Sequence, residues 1–267
     1  MGNPAPHRAR KRFGQHFLHD KIIIDRILNA IAPEPGELLL EIGPGLGALT
    51  FPLLGRCDAL TVVELDRDLI PMLQAHRSAH GKLEVINSDI LKFELAGLSG
   101  DDVYRIVGNL PYNISTPLMF HLMDSIHRIK DMHFMVQKEV ALRIVANPGT
   151  RDYGRLSVMI QHYCKCEYLM DVAPGCFTPP PKVDSAIIRL IPHAKPQFDV
   201  GDFKLFASIV KTAFGQRRKT IGKVLKNIID QSSFDSCQID RRLRAENLSL
   251  QDFACLSKTL VTRSEYE

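Results

Sequence analysis

One stretch near the start of the chain decides the fold, and it reads Leu38-Leu39-Leu40-Glu41-Ile42-Gly43-Pro44-Gly45-Leu46-Gly47. Its first half is a short apolar run of the length expected for a buried strand. The glycines that follow allow the backbone to turn tightly and to approach a ligand closely. We expect a helix to begin near Leu49, directly after this turn.

Outward from this stretch, short apolar runs alternate with helical stretches as far as about residue 137. The runs that we interpret as strands are Leu38–Ile42, Leu60–Val63, Leu83–Ile86, Tyr104–Val107 and His133–Val136, followed by Lys165–Val172 and Ala186–Ile191. This alternation predicts an α/β protein with a Rossmann-like parallel sheet and helices on its faces.

Helix ends carry their own signals. Asp20 is expected to cap a helix, the Thr116-Pro117 step is typical of a cap followed by proline, and Ser249 with Asp252 predicts a capping box. The strand pattern stops around 192–202, and a helical period with a basic face runs through 219–229. We therefore predict a basic leader over 1–19, a sheet domain over 20–195 and a small helical domain over 196–267.

The positive charge is segregated, although the net charge is only +4 for 267 residues. Residues 1–19 hold Arg8, Arg10, Lys11 and Arg12 without an acid, and 203–229 likewise hold only basic charges. Such segregation is typical of a surface that meets a polyanion such as nucleic acid.

Composition excludes several classes of protein. With 45% hydrophobic and 24% charged residues the chain is globular rather than disordered. It has no apolar run of the length of a membrane span and no secretory signal, so we expect a cytoplasmic protein without a membrane partner. The six cysteines include no C-x-x-C pair, and we interpret them as reduced structural thiols, with no metal site.

Polar residues follow the strands where a cofactor would bind. Glu64 ends the second strand about 20 residues after the glycine turn, where a carboxylate accepts ribose hydroxyls of either a nicotinamide dinucleotide or S-adenosylmethionine. Asp89 follows the third strand and can accept a hydrogen bond from an adenine amine. Asn109-Leu110-Pro111-Tyr112 follows the fourth strand, at the same edge of the sheet.

This last motif favours methyl transfer to a ring amine. The exocyclic nitrogen of adenine is a poor nucleophile because it shares its lone pair with the ring. The Asn109 side-chain oxygen and a nearby backbone carbonyl can orient its hydrogens, and Tyr112 offers a stacking face. Positioning then supplies most of the rate, without a general base or a metal.

Longer motifs make the sequence similar to a known family. They are Arg12-Phe13-Gly14-Gln15-His16-Phe17-Leu18, the Gly43 turn, Glu64-Leu65-Asp66, Asp89, Asn109-Leu110-Pro111-Tyr112-Asn113-Ile114-Ser115, Gln137-Lys138-Glu139, Tyr153-Gly154-Arg155-Leu156-Ser157, Phe177-Thr178-Pro179-Pro180-Pro181-Lys182-Val183 and Phe214-Gly215-Gln216-Arg217-Arg218-Lys219. Together they resemble, almost end to end, the ribosomal RNA adenine dimethylase family in its small-subunit (16S) branch.

The resemblance implies a class I methyltransferase sheet that binds S-adenosylmethionine. The implied cofactor-binding residues are His16, Leu18, Gly43, Gly45, Glu64, Asp89, Ile90 and Asn109, and the implied target-binding residues are Asn109, Leu110, Tyr112 and Phe177. Phe177 would supply a second ring that sandwiches a flipped base with Tyr112. His16 stands where many relatives have asparagine, and the partner of its side chain is open. Glu41 is expected to order the glycine turn by bonding to the backbone of that turn, and no catalytic role is assigned to it.

The same resemblance implies an RNA substrate. Phosphate contacts are expected from Arg217, Arg218, Lys219, Lys223, Arg10 and Arg12. The implied activity is N6,N6-dimethylation of two adjacent adenosines in a hairpin near the 3′ end of 16S rRNA, within the 30S particle, by a monomer that acts in small-subunit biogenesis. Three alternatives remain open: a resistance-type methylase of large-subunit rRNA, a non-catalytic assembly factor and a nicotinamide-dependent oxidoreductase.

Overall fold

The computed structural model describes residues 10, 14–75, 82–95, 98 and 102–264, with side chains as far as residue 260. These residues form two compact units, one that combines the chain as far as Ala141 with Glu167–Pro192, and one that combines Leu142–Cys166 with the chain from His193 onward. The domain boundary expected near residue 195 lies close to Pro192 and His193, where the chain passes from the first unit to the second. Residues 142–166 differ from the expectation, because they group with the C-terminal residues although the helical pattern through Ala141 carries no sign of a break.

The strands lie where the apolar runs predict them, with ends extended by a few residues. They are β1 Phe17–Leu18, β2 Leu38–Ile42, β3 Ala59–Glu64, β4 Lys82–Asn87, β5 Tyr104–Asn109, β6 Ile129–Gln137, β7 Cys164–Val172, β8 Phe177–Thr178 and β9 Ser185–Pro192. The two-residue strands β1 and β8 pair with each other, antiparallel, outside the main sheet. Neither has an apolar run long enough to mark it in the sequence.

The described residues form one main sheet of seven strands in the order β4-β3-β2-β5-β6-β9-β7. Strands β2 to β6 pair in parallel, whereas β9 runs antiparallel to β6. The expectation of a parallel sheet, which came from the first five runs, is thus confirmed, and β9 adds an antiparallel strand beyond them. The strand order reverses between β2 and β5, and a ligand crevice opens at such a switch point, outside the carboxyl ends of the strands.

The helices connect and flank these strands. They are α1 Lys21–Ile31, α2 Thr50–Leu54, α3 Ile70–Ala75, α4 Ser115–Met123, α5 Lys138–Val145, α6 Arg155–Tyr163, α7 Phe203–Gly215, α8 Ile221–Val224, α9 Gln231–Ser236 and α10 Leu250–Ser264. Among the described helices, none has both the length and the apolar character that a membrane span requires.

Two of the three predicted helix starts are confirmed. The Asp20 carboxylate accepts hydrogen bonds from the backbone N–H groups of Ile22 and Ile23, and Ser249 and Asp252 each cap the backbone N–H of the other. The third prediction is wrong by two residues, since α4 begins at Ser115 and its N-cap, Ile114, makes no side-chain cap bond. Pro117 therefore lies inside the first turn, where its missing N–H costs no helical hydrogen bond.

The basic helix predicted over 219–229 is wrong in length, since α8 is helical only from Ile221 to Val224. The backbone N–H groups of Ile221 and Gly222 bond instead to the carbonyls of Leu243 and Arg241, at 2.7 and 3.0 Å. A Cβ atom at Gly222 would lie 2.8 Å from the Arg241 Cβ, so this close approach needs glycine. Pairing with 241–244 thus fixes the start of this single turn, and it uses N–H groups that the predicted helix would also have left without an intrahelical partner.

A buried guanidinium joins α1 to the sheet. Arg105 on β5 donates two hydrogen bonds of 2.9 Å to Asp131 and one of 2.7 Å to Glu37. It also donates to the carbonyls of Ile31 and Ala32, the last residue and C-cap of α1, where no further turn of helix follows to take them. The amino end of β5 and the end of α1 are therefore fixed together, on the side of the sheet away from the crevice.

The interpretation of all six cysteines as reduced thiols is wrong for one pair, because Cys237 and Cys255 form a disulfide. They lie 18 residues apart, one directly after α9 and one within α10, so their spacing showed no pattern. The other four are free thiols, and burial raises the pKa of Cys164 to about 12. A thiol with such a pKa stays protonated and unreactive.

Candidate active site

A cavity of about 170 Å³ lies at the carboxyl ends of β2, β3 and β5. Its walls come from the glycine turn after β2, from the ends of β3 and β5, from the turn after β4, and from residues 14–18, which we call the strap. The cofactor residues expected from the sequence all line it, namely His16, Leu18, Gly43, Gly45, Glu64, Asp89, Ile90 and Asn109. The structure therefore brings these eight residues together.

The glycine turn faces the cavity with backbone rather than side chains. Gly43 and Gly45 have φ values of +65° and +57°, a conformation that glycine adopts without strain. The space in which a Gly43 side chain would project holds no protein atom within 4 Å. The N–H groups of Gly43 and Gly45 are already bonded, to the Val63 carbonyl at 2.9 Å and the Glu64 carboxylate at 3.1 Å. Both of these N–H groups are therefore already satisfied within the protein.

Glu64 is held rigidly at the end of β3. One carboxylate oxygen accepts the N–H of Gly45, and the other accepts the N–H of Asp66 at 2.8 Å. Its exposed fraction is 6%, and burial raises its pKa above the ordinary glutamate value. Each oxygen keeps a lone pair for a ligand hydroxyl, as ribose recognition requires.

Asp89 combines two roles that the sequence left open. Its Oδ1 accepts the backbone N–H of Leu91 at 3.0 Å, a local turn bond that orients the carboxylate. The residue also lines the cavity, next to the largely buried Ile90. The turn bond thus orients a carboxylate that lines the cavity.

Glu41 does not order the glycine turn, contrary to expectation. Its carboxyl group accepts a 2.6 Å hydrogen bond from the Thr50 hydroxyl at the start of α2. Burial, with a smaller contribution from the nearby Glu64 carboxylate, raises the pKa of Glu41 to about 8. The group is therefore mostly protonated at neutral pH, and it holds α2 against β2.

The electrostatic character of the cavity discriminates between cofactors. Three carboxyl groups line it, and because Glu41 is mostly protonated, Glu64 and Asp89 are the two that act on a charged ligand. No lysine or arginine occurs among its described lining residues. A pyrophosphate would meet carboxylate repulsion in a partly enclosed space, where charges interact more strongly than in water. A cationic sulfonium would be attracted. The cavity therefore suits a methyl donor better than a dinucleotide.

Asn109 stands at the last position of β5, between the cavity and the strap. Its Nδ2 donates a 3.0 Å hydrogen bond to the backbone carbonyl of His16. Because a carbonyl only accepts, this contact assigns the two ends of the amide and makes Oδ1 the acceptor end. Leu110, which follows, is buried, and its N–H donates to the Met135 carbonyl at 3.1 Å. Leu110 also lines the cavity.

Two contacts fix the Tyr112 side chain, one at its hydroxyl group and one at its ring. Its hydroxyl oxygen lies 2.6 Å from the Ser185 Oγ at the start of β9. Its ring stacks on the His16 imidazole with centroids 5.6 Å apart and planes inclined by 25°. The His16 Nδ1 in turn lies 2.7 Å from the Pro179 carbonyl, which answers the question of its side-chain partner.

Phe177 is not placed where the resemblance implies. Its exposed fraction is 2%, and it packs in the main core with Leu18, its partner in the β1–β8 pair. It is not among the residues that line the cavity. In this structure a second ring beside Tyr112 is therefore supplied by His16 and not by Phe177.

The strap is fastened to the loop after β3. The Asp66 carboxylate accepts hydrogen bonds from the Arg10 guanidinium at 3.0 Å and from Gln15 Nε2 at 3.1 Å, and Arg10 also pairs with Asp68. The Arg10 backbone N–H donates to the Gln15 side chain at 2.8 Å. Arg10 thus makes an ion pair within the protein and its RNA contact stays a prediction, while Arg12 lies outside the described residues.

The expected RNA contacts of the second unit divide in a similar way. Arg217 donates to the backbone carbonyls of Arg151 and Tyr153, at 2.8 and 2.9 Å, and pairs with Glu246 at 3.3 Å. The Arg217 side chain, which was expected to contact RNA, therefore links parts of the second unit to one another. Arg218, Lys219 and Lys223 are exposed, the first two in the loop between α7 and α8. The bridge between Thr220 and Arg244 adds an exposed arginine that the sequence spacing did not reveal.

The sheet order, the acidic cavity and the asparagine at its rim together define a class I methyltransferase. A family model described as "Ribosomal RNA adenine dimethylase" matches residues 6–261. The chain belongs to this family, and the oxidoreductase alternative is thereby excluded.

Relatives and solved structures agree with this assignment. The chain is 52% identical over 262 residues to "Ribosomal RNA small subunit methyltransferase A" of Pseudomonas aeruginosa, with 97% of each chain covered. It is 50% identical over 261 residues to the protein of that name from Aeromonas hydrophila, with 97% of this chain and 96% of the relative covered. A dimethyladenosine transferase from Plasmodium falciparum superposes with a TM-score of 0.80 at 27% identity, over 93% of this chain and 98% of that chain. The 23S rRNA methyltransferase ErmE gives 0.72 at 28% identity, over 91% and 99%.

Proposed function

We propose that this protein transfers methyl groups from S-adenosylmethionine to N6 of two adjacent adenosines in a hairpin near the 3′ end of 16S rRNA. It acts as a monomer on the 30S particle, as a step in small-subunit biogenesis. The observation that carries the proposal is the junction of an acidic cavity with the Asn109–Tyr112 rim, because it joins a place for a sulfonium cation to a place for an unstacked base. The names of the half-identical relatives support the small-subunit substrate.

The residues of the cavity fit the proposed cofactor. The outward lone pairs of Glu64 accept the ribose hydroxyls, and Asp89 accepts the adenine amine. The glycine turn leaves open space beside Gly43 for the methionine part, under the strap. S-adenosylmethionine, when bound, supplies an electrophilic methyl group on sulfur.

Asn109 organises the target amine. Its Oδ1 accepts one N6 hydrogen of the adenine, while a backbone carbonyl of 109–112 accepts the other. These two bonds turn the nitrogen lone pair toward the methyl group, and Tyr112 fixes the plane of the base by stacking. Each neutral hydrogen bond contributes about 1 kcal/mol net, so alignment rather than bond strength supplies most of the acceleration. The nitrogen loses its proton to water after the methyl has arrived.

Affinity for the RNA comes from exposed basic side chains of the second unit. Arg218, Lys219 and Lys223 contact phosphates, which positions the RNA without reading its sequence. Selection of the adenosines rests on the shape of the hairpin and on the splayed base.

The direct test uses 30S particles that lack the modification. Incubation with labelled S-adenosylmethionine, followed by digestion to nucleosides, should yield N6,N6-dimethyladenosine. Asn109→Ala should lower the rate at least about a hundredfold, as removal of a transition-state hydrogen-bond donor or acceptor does elsewhere, with RNA affinity kept. Asn147→Ala, at an exposed turn of the second unit, is the control and should match the parent.

Two outcomes contradict the proposal. If the parent forms no dimethyladenosine on 30S particles, the activity is wrong. If naked 23S rRNA is the better substrate, the protein acts as a resistance-type methylase instead.

A further inference from the structure

Two aromatic rings face each other at the rim of the cavity. The His16 imidazole and the Tyr112 phenol both line it, and their planes are inclined by only 25°. Phe177 is buried in the core and is not part of this pair. The face of Tyr112 that would receive a base is therefore opposed by the side chain of the strap.

The His16 ring is oriented by contacts that do not involve a cofactor. Its Nδ1 lies 2.7 Å from the Pro179 carbonyl, and because a carbonyl can only accept, the proton of a neutral ring is on Nδ1. The backbone carbonyl of the same residue accepts the Asn109 amide at 3.0 Å. The backbone of His16 thus faces Asn109, while its ring faces Tyr112.

The distance between the two rings has a defined meaning. A base stacked between two rings needs about 7 Å from ring to ring, twice the contact distance of about 3.5 Å. The observed centroid distance of 5.6 Å is that of two rings in direct, offset contact, so no base fits between them as they stand. A planar base enters only when the two rings separate. The Tyr112 hydroxyl is held by Ser185 at the start of β9 and the His16 ring by the Pro179 carbonyl, so admission of a base requires one of these two contacts to open.

We propose that the His16 ring forms the second wall of the target-base slot, opposite Tyr112. The ligand of this slot is an unstacked purine of RNA, held by stacking on both faces. This inference rests on the proposed function for the identity of the base. It separates the two parts of His16, since the backbone borders the cofactor cavity while the ring belongs to the RNA target.

Substitutions at His16 distinguish stacking from other roles. His16→Ala removes the wall, and His16→Phe keeps an aromatic face without a ring nitrogen. His19→Ala is the matched control, because His19 is an exposed histidine three residues further on that does not line the cavity. Each variant is assayed for the kcat and KM of methyl transfer to the hairpin RNA, and for S-adenosylhomocysteine affinity by calorimetry.

We expect His16→Ala to lower kcat/KM for RNA about tenfold or more, as loss of a base-stacking ring does in other RNA-binding sites. The affinity for S-adenosylhomocysteine should stay within about twofold of the parent, and His16→Phe should retain most of the activity. Equal activity of His16→Ala and the parent would overturn the inference. So would a His16→Phe variant as defective as His16→Ala, or a parallel loss of cofactor affinity.

A second measurement is independent of catalysis. A hairpin RNA with 2-aminopurine at the target position reports stacking by fluorescence. Parent and His16→Phe should quench the flipped base in the presence of S-adenosylhomocysteine, whereas His16→Ala should leave it brighter. Equal quenching by all three proteins contradicts the inference even if methylation fails. Absence of methylation by the parent, by contrast, is a failure of the proposed function alone.

Discussion

Single residues in this site do more than the motif positions suggest, and Asn109 is the clearest case. Its place after the fourth predicted strand was sufficient to expect it at the cavity, and the structure confirms that placement. The hydrogen bond to the His16 backbone was not predictable, because it depends on how the leader folds back over the sheet. Sequence position predicts the edge of the sheet, but not which segment covers it.

Glu41 gives a prediction at the same scale. Its pKa of about 8 exceeds the ordinary value of 4.5, so the folded state binds a proton that the unfolded state has lost between these two pH values. By linkage, this residue makes stability fall as pH rises from 4.5 to 8, and its contribution is fully favourable only below that window.

Glu41→Gln should therefore flatten this part of the pH profile. Urea unfolding at pH 5 and pH 8 should show the variant gaining about 3 to 4 kcal/mol relative to the parent at the higher pH. Asp25→Asn, on the exposed face of α1, serves as the control and should change the free energy of unfolding by the same amount at both pH values. A parent and a Glu41→Gln variant with parallel profiles would show that Glu41 ionises freely in the fold.

At the scale of elements, the strap depends on one buried carboxylate. Asp66 has an exposed fraction of 1% and accepts hydrogen bonds from both Arg10 and Gln15. Asp66→Asn replaces one carboxylate oxygen by a donor, so the two fastenings cannot both be kept.

We expect Asp66→Asn to weaken S-adenosylhomocysteine binding about three- to tenfold, mainly through faster dissociation, because the Arg10 side chain is partly exposed and its ion pair is modest. Stopped-flow displacement measures this rate. RNA affinity in the absence of cofactor is the internal control and should not change. An unchanged dissociation rate would mean that the strap does not retain the ligand.

The end of α1 gives the second prediction at this scale. Arg105 satisfies two carbonyls at the end of that helix and binds two carboxylates. Against the effect of burial, hydrogen bonds from Lys130, from the Glu34 backbone and from Arg105 lower the pKa of Glu37 to about 2. Arg105→Leu leaves Asp131 and Glu37 with weaker partners and the carbonyls with none of these bonds.

The expected loss is about 3 to 5 kcal/mol in the free energy of unfolding, as for other broken buried ion pairs. Urea denaturation measures it. Arg56→Leu, which removes an exposed contact with Asn29, should cost less than about 0.5 kcal/mol. A loss below 1 kcal/mol for Arg105→Leu would show that the Arg105 bonds do not hold the end of α1 to the sheet.

Elements with strong periodicity could be predicted, and those fixed by tertiary pairing could not. The runs from Leu38 to Ile42 and from Tyr104 to Val107 are apolar enough to be strands in any context. The apolar spacing from Ile221 to Ile229 is equally regular, yet only Ile221–Val224 is helical, and the start of that turn pairs with Arg241 and Leu243. The short pair β1–β8 was invisible in the sequence, since long-range contact alone defines it.

For the whole molecule, charge segregation was the most informative signal and also the coarsest. It identified the second unit as basic, but it could not distinguish exposed basic side chains from those that bond within the protein. Arg217 is used internally, whereas Arg218, Lys219 and Lys223 remain exposed.

The salt dependence of RNA binding tests this division. Each phosphate contact contributes about 0.7 to 0.9 to the slope of log affinity against log salt. Replacing Arg218, Lys219 and Lys223 together by alanine should reduce the slope by about two to three and weaken binding at low salt. Replacement of Lys21, Arg26 and Lys92, exposed on the first unit, is the charge-matched control and should leave the slope unchanged. An unaltered slope in the first variant would locate the RNA elsewhere.

The double fastening of the strap bears on the timing of the reaction. Two methyl groups on one nitrogen consume two donor molecules, and the spent thioether must depart before a fresh donor enters. Because the covering segment is tied to Asp66 on one side and to Pro179 on the other, each exchange requires these ties to open. We therefore expect these hydrogen bonds to break before the second methylation can occur, so that monomethylated adenosine accumulates briefly when donor is scarce.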